Sequence, residues 1–247
     1  MKSIALSLFF ASVAFAQLTD EFRPARAACC LPNTAQSLAD QLQDWNQLGR
    51  YHADNVRLRA LPQEPKRVVF MGDSITDGWK LENYFPGKPY VNRGIGGQTT
   101  PQMVVRMFPD VIHLKPAAMV VLAGTNDIAR NTGPVTFEMI TNNYEAMADI
   151  ARAHGIKVIL CSILPISDYT QRKQSERRPP AEILRLNRWL REYAARTNAI
   201  YVDYHAAAAD EKGMLKEGTS NDGLHPNDAG YKIMVPLVEA AIQRALQ

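Results

Sequence analysis

Five short apolar runs, separated by stretches with helical periodicity, constrain the fold of this chain more than any other feature of its sequence. The runs lack alternating polar residues, which is typical of parallel strands that helices cover on both faces. Strands that alternate with helices in this way form a three-layer α/β/α sandwich, and we expect a flavodoxin-like five-stranded parallel sheet. The predicted strands are Val68–Met71, Tyr90–Asn92, Ala118–Leu122, Val158–Ile163 and Ile200–Val202.

Three of the predicted helices have recognisable ends. An amphipathic stretch over residues 135–155 ends at Gly155, and glycine often follows a helix C-terminus. The last helix is expected from about Pro226 to Ala245. Near the N-terminus, Asn33 can cap a helix. The apolar face of that helix would be formed by Leu38, Leu42, Trp45 and Leu48.

The first residues have the composition of a secretory signal peptide. Lys2 precedes an apolar stretch from Ile4 to Phe15, and Ala14-Phe15-Ala16 fits the small-x-small pattern of a signal-peptidase site. Because the stretch is shorter than the roughly 20 residues that span a bilayer, we expect a secreted or periplasmic protein without a stable membrane anchor. The expected divisions are a signal peptide, a leader with one helix, and an α/β domain, at residues 1–16, 17–65 and 66–247.

The charge balance and the cysteines exclude several classes of protein. The chain of 247 residues has 28 Lys and Arg against 25 Asp and Glu, and its formal net charge is +3. This balance, without a basic block interleaved with aromatic residues, makes nucleic acid an unexpected partner. Of the three cysteines, Cys29 and Cys30 are adjacent and Cys161 lies in an apolar run. Neither a disulfide scaffold nor a zinc site is therefore expected.

The first apolar run is followed by an acid and a serine. The sequence VVFMGDSITDGW, residues 68–79, places Gly72-Asp73-Ser74 at the carboxyl end of the first strand. Ligands of open α/β sheets bind beyond these strand ends, so Ser74 is a candidate nucleophile. A serine at such a turn more commonly caps the next helix, and this motif alone leaves both interpretations open.

Three further motifs lie at junctions on the same edge of the predicted sheet. They are NRGIGGQTT at 92–100, AGTND at 123–127 and NDGLHP at 221–226. A serine that transfers acyl groups needs an oriented base and donors for the oxyanion that forms. Asp222 and His225, three residues apart, can supply the base. The N–H of Ser74, the N–H of Gly97 and the Asn126 amide can supply the donors.

The four blocks, in this order and at these separations, resemble those of the SGNH, or GDSL, hydrolases. The resemblance covers roughly residues 66–245. It implies Ser74 as nucleophile, His225 as base and Asp222 as the acid that orients the base. It also implies that Ser74, Gly97 and Asn126 form the oxyanion hole.

The resemblance also has implications for chemistry and substrate. Family members deacylate esters or thioesters without a cofactor. Position 75 is Ile where the family name has Leu, a swap of similar volume. The GIGGQTT and GTND blocks look nearest to the branch that contains platelet-activating-factor acetylhydrolase-like enzymes and bacterial carbohydrate esterases, which implies short acyl groups.

Other residues near these motifs imitate different sites. Asp73 and Asp127 could be metal ligands, but short acids in turns more often hydrogen-bond loop amides, which is the role we expect, and no metal site is predicted. His205, beside Asp203, imitates a second acid and histidine pair without a matched nucleophile, so a structural role is favoured. The glycine turn GIGGQT, residues 94–99, imitates a dinucleotide-binding motif but has Thr99 where that motif needs glycine or alanine.

Two aromatic residues are weaker candidates for substrate binding. Trp79 could line the pocket, although a tryptophan on the first helix is more often a core residue. Tyr169 lies in the long polar segment SDYTQRKQSERRPP, Ser167 to Pro180. A segment of this length could be a binding loop or lid, or a plain mobile loop.

The leading hypothesis is a secreted serine esterase that acts through an acyl-enzyme intermediate. The expected substrate is a short-chain ester, above all an acetyl ester, of a soluble small molecule or glycan. Alternatives are a lysophospholipase or thioesterase for longer chains, and a non-catalytic carbohydrate-binding protein of the same fold. A metal-dependent phosphoesterase using Asp73, Asp127 and His225 would leave the serine and the asparagine unexplained.

Overall fold

A parallel sheet of five strands organises the part of the chain that the computed structural model describes, residues 42–171 and 173–247. The order β2-β1-β3-β4-β5 is that of a flavodoxin-like sheet, so the predicted fold class is confirmed. Gly72, the last residue of β1, pairs with Gly94 of β2 and with Leu122 of β3. The strands are β1 (Val68–Gly72), β2 (Tyr90–Gly94), β3 (Ala118–Leu122), β4 (Lys157–Cys161) and β5 (Ile200–Val202).

Helices cover both faces of this sheet. Val69 and Met71 of β1 face helices α4, α6 and α7, whereas Val68 and Phe70 face α9. Since both faces are buried, the strands have no polar alternation, which explains the apolar runs. In chain order the helices are α1 (His52–Ala60), α2 (Ser74–Asp77), α3 (Leu81–Tyr84), α4 (Thr100–Asp110), α5 (Thr125–Ile128), α6 (Phe137–Ala153), α7 (Pro180–Thr197), α8 (Tyr204–Ala208) and α9 (Asp228–Ala245).

Local sequence explains where the main helices begin and end. The Thr136 side chain accepts a hydrogen bond from the N–H of Met139 and caps α6, which ends before Gly155 at φ +72°. The last helix begins at Asp228, two residues later than predicted, because the Asn227 side chain caps it through the N–H of Gly230. Pro226 instead pairs with Ser220 in a short antiparallel bridge.

Strand β4 also ends earlier than predicted, at Cys161 instead of Ile163. The reason is the Asn187 side chain on α7, which forms the hydrogen bonds of the Ile163 backbone in place of a neighbouring strand. Its Oδ1 accepts the Ile163 N–H at 2.7 Å, and its Nδ2 donates to the Ile163 carbonyl at 2.9 Å. Cys161 is a buried free thiol, as expected, and burial raises its pKa to about 12.

The N-terminal region departs most from expectation. The predicted leader and most of the helix capped by Asn33 lie outside the described residues. Of the predicted helix residues that are described, 42–48, only 42 and 43 are helical, and Leu42, Trp45 and Leu48 are exposed. Helix α1 was not predicted, because hydrogen bonds rather than an apolar face attach it. Its one buried residue, Asn55, donates to Asp110 at 2.6 Å.

Within residues 42–171 and 173–247, no helix is both long and apolar enough to cross a bilayer.

Candidate active site

The predicted motifs meet at the carboxyl edge of the sheet, where α2 turns tightly out of β1. A Cβ on Gly72 would lie 2.1 Å from Thr76 Oγ1, and a Cβ on Gly94 would lie 2.1 Å from the backbone nitrogen of Asp77. Only glycine fits at these two strand ends. The Asn92 side chain then donates to the carbonyl groups of Thr76 and Trp79, which fixes the turn that presents Ser74.

Ser74, His225 and Asp222 are joined in one hydrogen-bonded chain. Ser74 Oγ lies 2.9 Å from His225 Nε2, and His225 Nδ1 lies 2.6 Å from Asp222 Oδ2. The contact between Ser74 and His225, expected from the sequence, is therefore present across 151 residues of separation. The arrangement can carry a proton from a hydroxyl to an oriented imidazole.

Asp222 is held in its charged form by the turn that it shares with His225. Desolvation by burial opposes the charge, but Asp222 Oδ1 accepts the N–H of His225 at 2.8 Å and of Leu224 at 3.0 Å. Together with the imidazole contact, these hydrogen bonds outweigh desolvation and lower the pKa of Asp222 to about 2. The side chains of His225 and Asp222 are 44% and 48% exposed, so this part of the site is open to solvent.

The glycine turn after β2 lies against the serine. A Cβ on Gly96 would lie 3.8 Å from Ser74 Cβ, and Gly97 has φ +78°, a conformation that favours glycine. The N–H groups of Ser74 and Gly97 donate no hydrogen bond to any group within residues 42–171 and 173–247. Both are therefore available as oxyanion donors.

Asn126, the second residue of α5, turns towards the glycine turn and not into the apolar core. Its side chain is 3% exposed, and its Nδ2 donates one hydrogen to the carbonyl of Gln98 at 3.1 Å. An amide nitrogen carries two hydrogens, so a second one is left for a ligand. Asn126 therefore lies beside the glycine turn, and its role as an oxyanion donor stays a prediction.

Two buried acids lie behind the site and hold its loops, as expected. Asp73 Oδ1 accepts the N–H of Ile75 at 2.9 Å, and Asp127 accepts the N–H and hydroxyl of Thr100. Burial raises the pKa of Asp73 to about 7 and that of Asp127 to about 6. Among the residues whose positions are described, no three His, Cys, Asp or Glu side chains are grouped to hold a metal ion.

The acid and histidine pair after β5 also has a structural position. Asp203 Oδ1 caps α8 through the N–H of Ala206 at 3.0 Å, and the N–H of His205 donates to Ser162 Oγ at 2.8 Å. Burial lowers the pKa of the His205 imidazole. These contacts agree with the structural role that the sequence favoured.

The prediction that Trp79 lines the substrate pocket is wrong. Its indole is 1% exposed, stacks on the ring of Tyr231 at 5.2 Å and meets the ring of Phe70 edge-on at 5.8 Å. Three more aromatic rings contact it, so the indole belongs to the core under α2. The Tyr231 hydroxyl donates to the carbonyl of Ile75 at 2.8 Å, which ties α9 to the serine helix.

The polar segment from Ser167 to Pro180 is attached to the loop that carries Asp222. The N–H of Ser167 donates to the carbonyl of Gly223 at 2.8 Å, and the half-exposed Tyr169 donates through its hydroxyl to the carbonyl of Ser220 at 2.8 Å. Tyr169 thus lies beside the candidate site, and its contact with substrate stays a prediction.

Sequence reasoning missed two arginines of this segment. Arg178 is 4% exposed and hydrogen-bonds Asn126, and Arg177 hydrogen-bonds Asn131. Nothing in the polar, aperiodic sequence around them distinguishes these arginines from solvated ones, which are the commoner kind.

Residues before β1 also support the glycine turn. The Tyr51 hydroxyl donates to the carbonyl of Gly94, and Gln98 Nε2 donates to the carbonyl of Asn46 at 2.8 Å. Asp77 accepts the N–H of Gly96 at 3.2 Å and pairs with Arg50 at 3.1 Å. The site is therefore buttressed by chain that lies outside the four motifs.

Comparisons with known proteins agree with the fold. Residues 70–233 match the family described as GDSL-like lipase/acylhydrolase. A solved GDSL-like lipase of Bacteroides thetaiotaomicron is 39% identical, with a TM-score of 0.74, over 81% of this chain and 98% of that one. The acetylxylan esterase of Geobacillus stearothermophilus is 26% identical over 199 residues, 68% of this chain and 90% of the esterase. The uncharacterized lipoprotein YqeF of Bacillus subtilis is 27% identical over 191 residues, 70% of this chain and 69% of the lipoprotein.

Proposed function

Because the chain belongs to the GDSL-like lipase/acylhydrolase family and is a carboxylic ester hydrolase, we propose that it removes short acyl groups, chiefly acetyl, from a soluble carbohydrate ester. Ser74 is the nucleophile of this proposal. The observation that carries it is the hydrogen-bonded chain from Ser74 through His225 to Asp222.

The proposed reaction has two halves that use the same groups. His225 Nε2 accepts the Ser74 proton as Oγ attacks the ester carbonyl, and Asp222 stabilises the imidazolium without taking the proton. The imidazolium then protonates the leaving alcohol, which gives an acyl-enzyme. Water, deprotonated by His225, attacks this acyl group and releases the acid and Ser74.

Charge development in both halves is met by backbone and amide donors. Each tetrahedral intermediate carries a negative oxygen, which the N–H groups of Ser74 and Gly97 and the second hydrogen of Asn126 Nδ2 would bind. These donors are already oriented before substrate arrives, because Gly97 and Asn126 are fixed by neighbouring hydrogen bonds.

The surroundings of Ser74 support a small acyl group and a hydroxylated alcohol. The serine is bordered by the Gly96 backbone and by the exposed polar side chains of His225 and Asp222, while Trp79 is withdrawn into the core. An open polar surface suits a sugar better than a long alkyl chain. The similarity to an acetylxylan esterase supports the same substrate class.

We place the proposed reaction outside the cytoplasm. The signal-peptide pattern of residues 1–16 supports export, and one similar protein is named a lipoprotein. A soluble glycan or small-molecule ester, and neither nucleic acid nor membrane, is the proposed partner.

A panel of esters tests this proposal. Purified protein would be assayed on nitrophenyl esters from acetate to dodecanoate and on acetylated xylo-oligosaccharides, with Ser74→Ala as the blank. We expect kcat/KM to fall steadily with acyl length and acetate to be released from the oligosaccharide. A preference for the longest chains would instead support a lysophospholipase or thioesterase, and wild-type rates equal to the blank would refute a Ser74 esterase.

A further inference from the structure

Two consecutive arginines, Arg177 and Arg178, reach from the loop before α7 to both halves of the candidate oxyanion hole. Each arginine hydrogen-bonds an asparagine, and each asparagine hydrogen-bonds a backbone carbonyl of the glycine turn. The two pathways are therefore built alike.

The buried pathway runs through Asn126. Arg178 Nη2 donates to Asn126 Oδ1 at 3.3 Å, and Asn126 Nδ2 donates to the Gln98 carbonyl at 3.1 Å. Arg178 Nε also donates to Thr125 Oγ1 at 3.1 Å, so the guanidinium contacts two successive side chains of α5. Asn126 is thus held at both ends of its amide.

The exposed pathway runs through Asn131. Arg177 Nη2 donates to Asn131 Oδ1 at 3.0 Å and to the Ala129 carbonyl at 3.1 Å. Asn131 Nδ2 then donates to the Gly97 carbonyl at 3.2 Å. This contact restrains the residue whose N–H is one of the two backbone donors of the proposed hole.

The chemistry of arginine makes the orientation of each amide unambiguous. A guanidinium has five N–H donors and no acceptor, so only the oxygen of an asparagine amide can face it. A backbone carbonyl only accepts, so only the nitrogen can face the glycine turn. An Asn126 amide turned by 180° would lose both contacts and would present its oxygen to the developing oxyanion.

We propose that Arg177 and Arg178 are positioning residues of the oxyanion hole, which hold the Asn131 and Asn126 amides in the orientation that ester hydrolysis needs. This inference rests on the proposed esterase function and assigns a role to the Ser167 to Pro180 segment. The segment acts as a brace, because its side chains connect several loops of the site. The positive charge of Arg178 beside Asn126 Oδ1 also polarises the amide, which strengthens the N–H on the opposite side as a donor.

The same brace extends to the acid of the site. Arg178 Nη1 donates to Gln174 Oε1 at 3.1 Å, and Gln174 Nε2 donates to the Asp222 carbonyl at 3.1 Å. Gln174 is buried, so this connection is shielded from water. Arg178 therefore fixes the position of the oxyanion amide relative to the loop that carries Asp222 and His225.

A double-mutant cycle between Arg178 and Asn126 tests the proposal. We expect Arg178→Met to lower kcat on nitrophenyl acetate by about 10- to 100-fold with KM changed less than about twofold, because oxyanion contacts strengthen in the transition state. In the Asn126→Ala background the same substitution should lower kcat by less than about threefold, since no amide is left to position. Arg178→Lys should be intermediate, because an ammonium cannot replace the planar fork.

Arg177 provides a second cycle that does not depend on a buried substitution. Arg177 is exposed, so Arg177→Met is expected to fold, and it should lower kcat by about 3- to 10-fold in wild type and by less than about twofold with Asn131→Ala. Arg152→Met is the matched control. Arg152 pairs with Asp149 and Tyr193, away from these loops, and its loss should leave kcat unchanged.

The outcomes separate the two proposals. The positioning role would be overturned if, in both cycles, the loss of kcat in the double variant equals the product of the two single losses. The esterase proposal would survive this result, provided that activity still requires Ser74. A rise in KM with unchanged kcat in the arginine variants would also overturn the positioning role. Wild-type turnover no faster than that of Ser74→Ala would overturn the esterase and, with it, the role of both arginines.

Discussion

The proposed acid and base lie in a single turn, whereas the proposed oxyanion donors depend on segments far apart in the chain. Asp222 and His225 are three residues apart, and Asp222 Oδ1 bonds the backbone of its own turn at 2.8 Å and 3.0 Å. Asn126 is instead fixed by Arg178, which is 52 residues away, and by Gln98, which is 28 residues away. The first region is local and the second is tertiary.

The two regions also differ in burial, because the local turn is exposed and the tertiary amide is buried. The His225 and Asp222 side chains are nearly half exposed, and Asn126 is almost completely buried. The turn of the acid and base can hold its geometry in water, because its hydrogen bonds close within a few residues. The amide needs the surrounding loops, so disturbance of those loops should affect the oxyanion side more than the base.

Removal of the base should have the largest effect on catalysis. We expect His225→Ala to lower kcat by about 10⁶-fold, the usual loss when a serine hydrolase loses its nucleophile or base, and Ser74→Ala to match it. The rates would be measured on nitrophenyl acetate. His154→Ala is the control, because His154 is exposed at the end of α6 and should leave kcat unchanged. A His225→Ala protein with a tenth of wild-type activity would contradict the assignment.

Substitution of the acid should be clearly less damaging than loss of the base. In Asp222→Asn the retained oxygen still accepts the N–H groups of Leu224 and His225, so the turn survives, but the new NH₂ group favours the wrong imidazole tautomer. We expect kcat to fall by about 10⁴-fold. Pro226 does not start α9 as predicted but pairs with Ser220, and the Ser220 hydroxyl accepts the N–H groups of Asp222 and Gly223, so the turn keeps further support in this variant.

A turn-holding acid elsewhere provides the control for this prediction. Asp210 Oδ1 accepts the N–H groups of Lys212 and Met214 and contacts no residue of the site, so Asp210→Asn should keep full activity. If Asp222→Asn proves as inactive as His225→Ala in folded protein, the turn does not orient the ring.

Loss of the oxyanion amide should cost less than either. We expect Asn126→Ala to lower kcat by about 10²- to 10³-fold with KM nearly unchanged, because the N–H groups of Ser74 and Gly97 remain. Steady-state kinetics on the same ester give both constants. A rise in KM at constant kcat would show that Asn126 binds the ground state instead.

The smallest expected effect is the pH dependence of folding stability. It has opposite signs in the two regions. The pKa of Asp222, lowered to about 2 from 3.8, gives stability that is present above about pH 4 and is lost as pH falls towards 2. The pKa values of Asp73 and Asp127, raised to about 7 and about 6, make the folded state bind protons that the unfolded state has released. Their contribution is therefore full below about pH 4 and is lost as pH rises to about 7.

Thermal unfolding of Asp73→Asn measures this effect. The variant keeps an oxygen to accept the Ile75 N–H but has no carboxyl to ionise, so its Tm should fall less than that of wild type between pH 4 and pH 7. Equal slopes for the two proteins would show that Asp73 does not titrate in this range.

The local parts of the molecule could be predicted from sequence, and the tertiary parts could not. Strands β1 and β3 are continuous apolar runs, and Asp222 and His225 fall within one six-residue motif, so pattern alone places them. Helix α1 and Arg178 leave no such pattern, because hydrogen bonds to distant residues hold them. Trp79 was undecidable for a related reason, since its burial depends on rings from four other elements.

Identification of the acylated residue tests whether Ser74 is the nucleophile. Wild-type protein would be mixed rapidly with nitrophenyl acetate, quenched in acid within the first turnover, digested and mapped by mass spectrometry. We expect a burst of nitrophenol and an acetyl group on Ser74, both lost in Ser74→Ala. A burst that persists in Ser74→Ala, or an acetyl group on another residue, would contradict it.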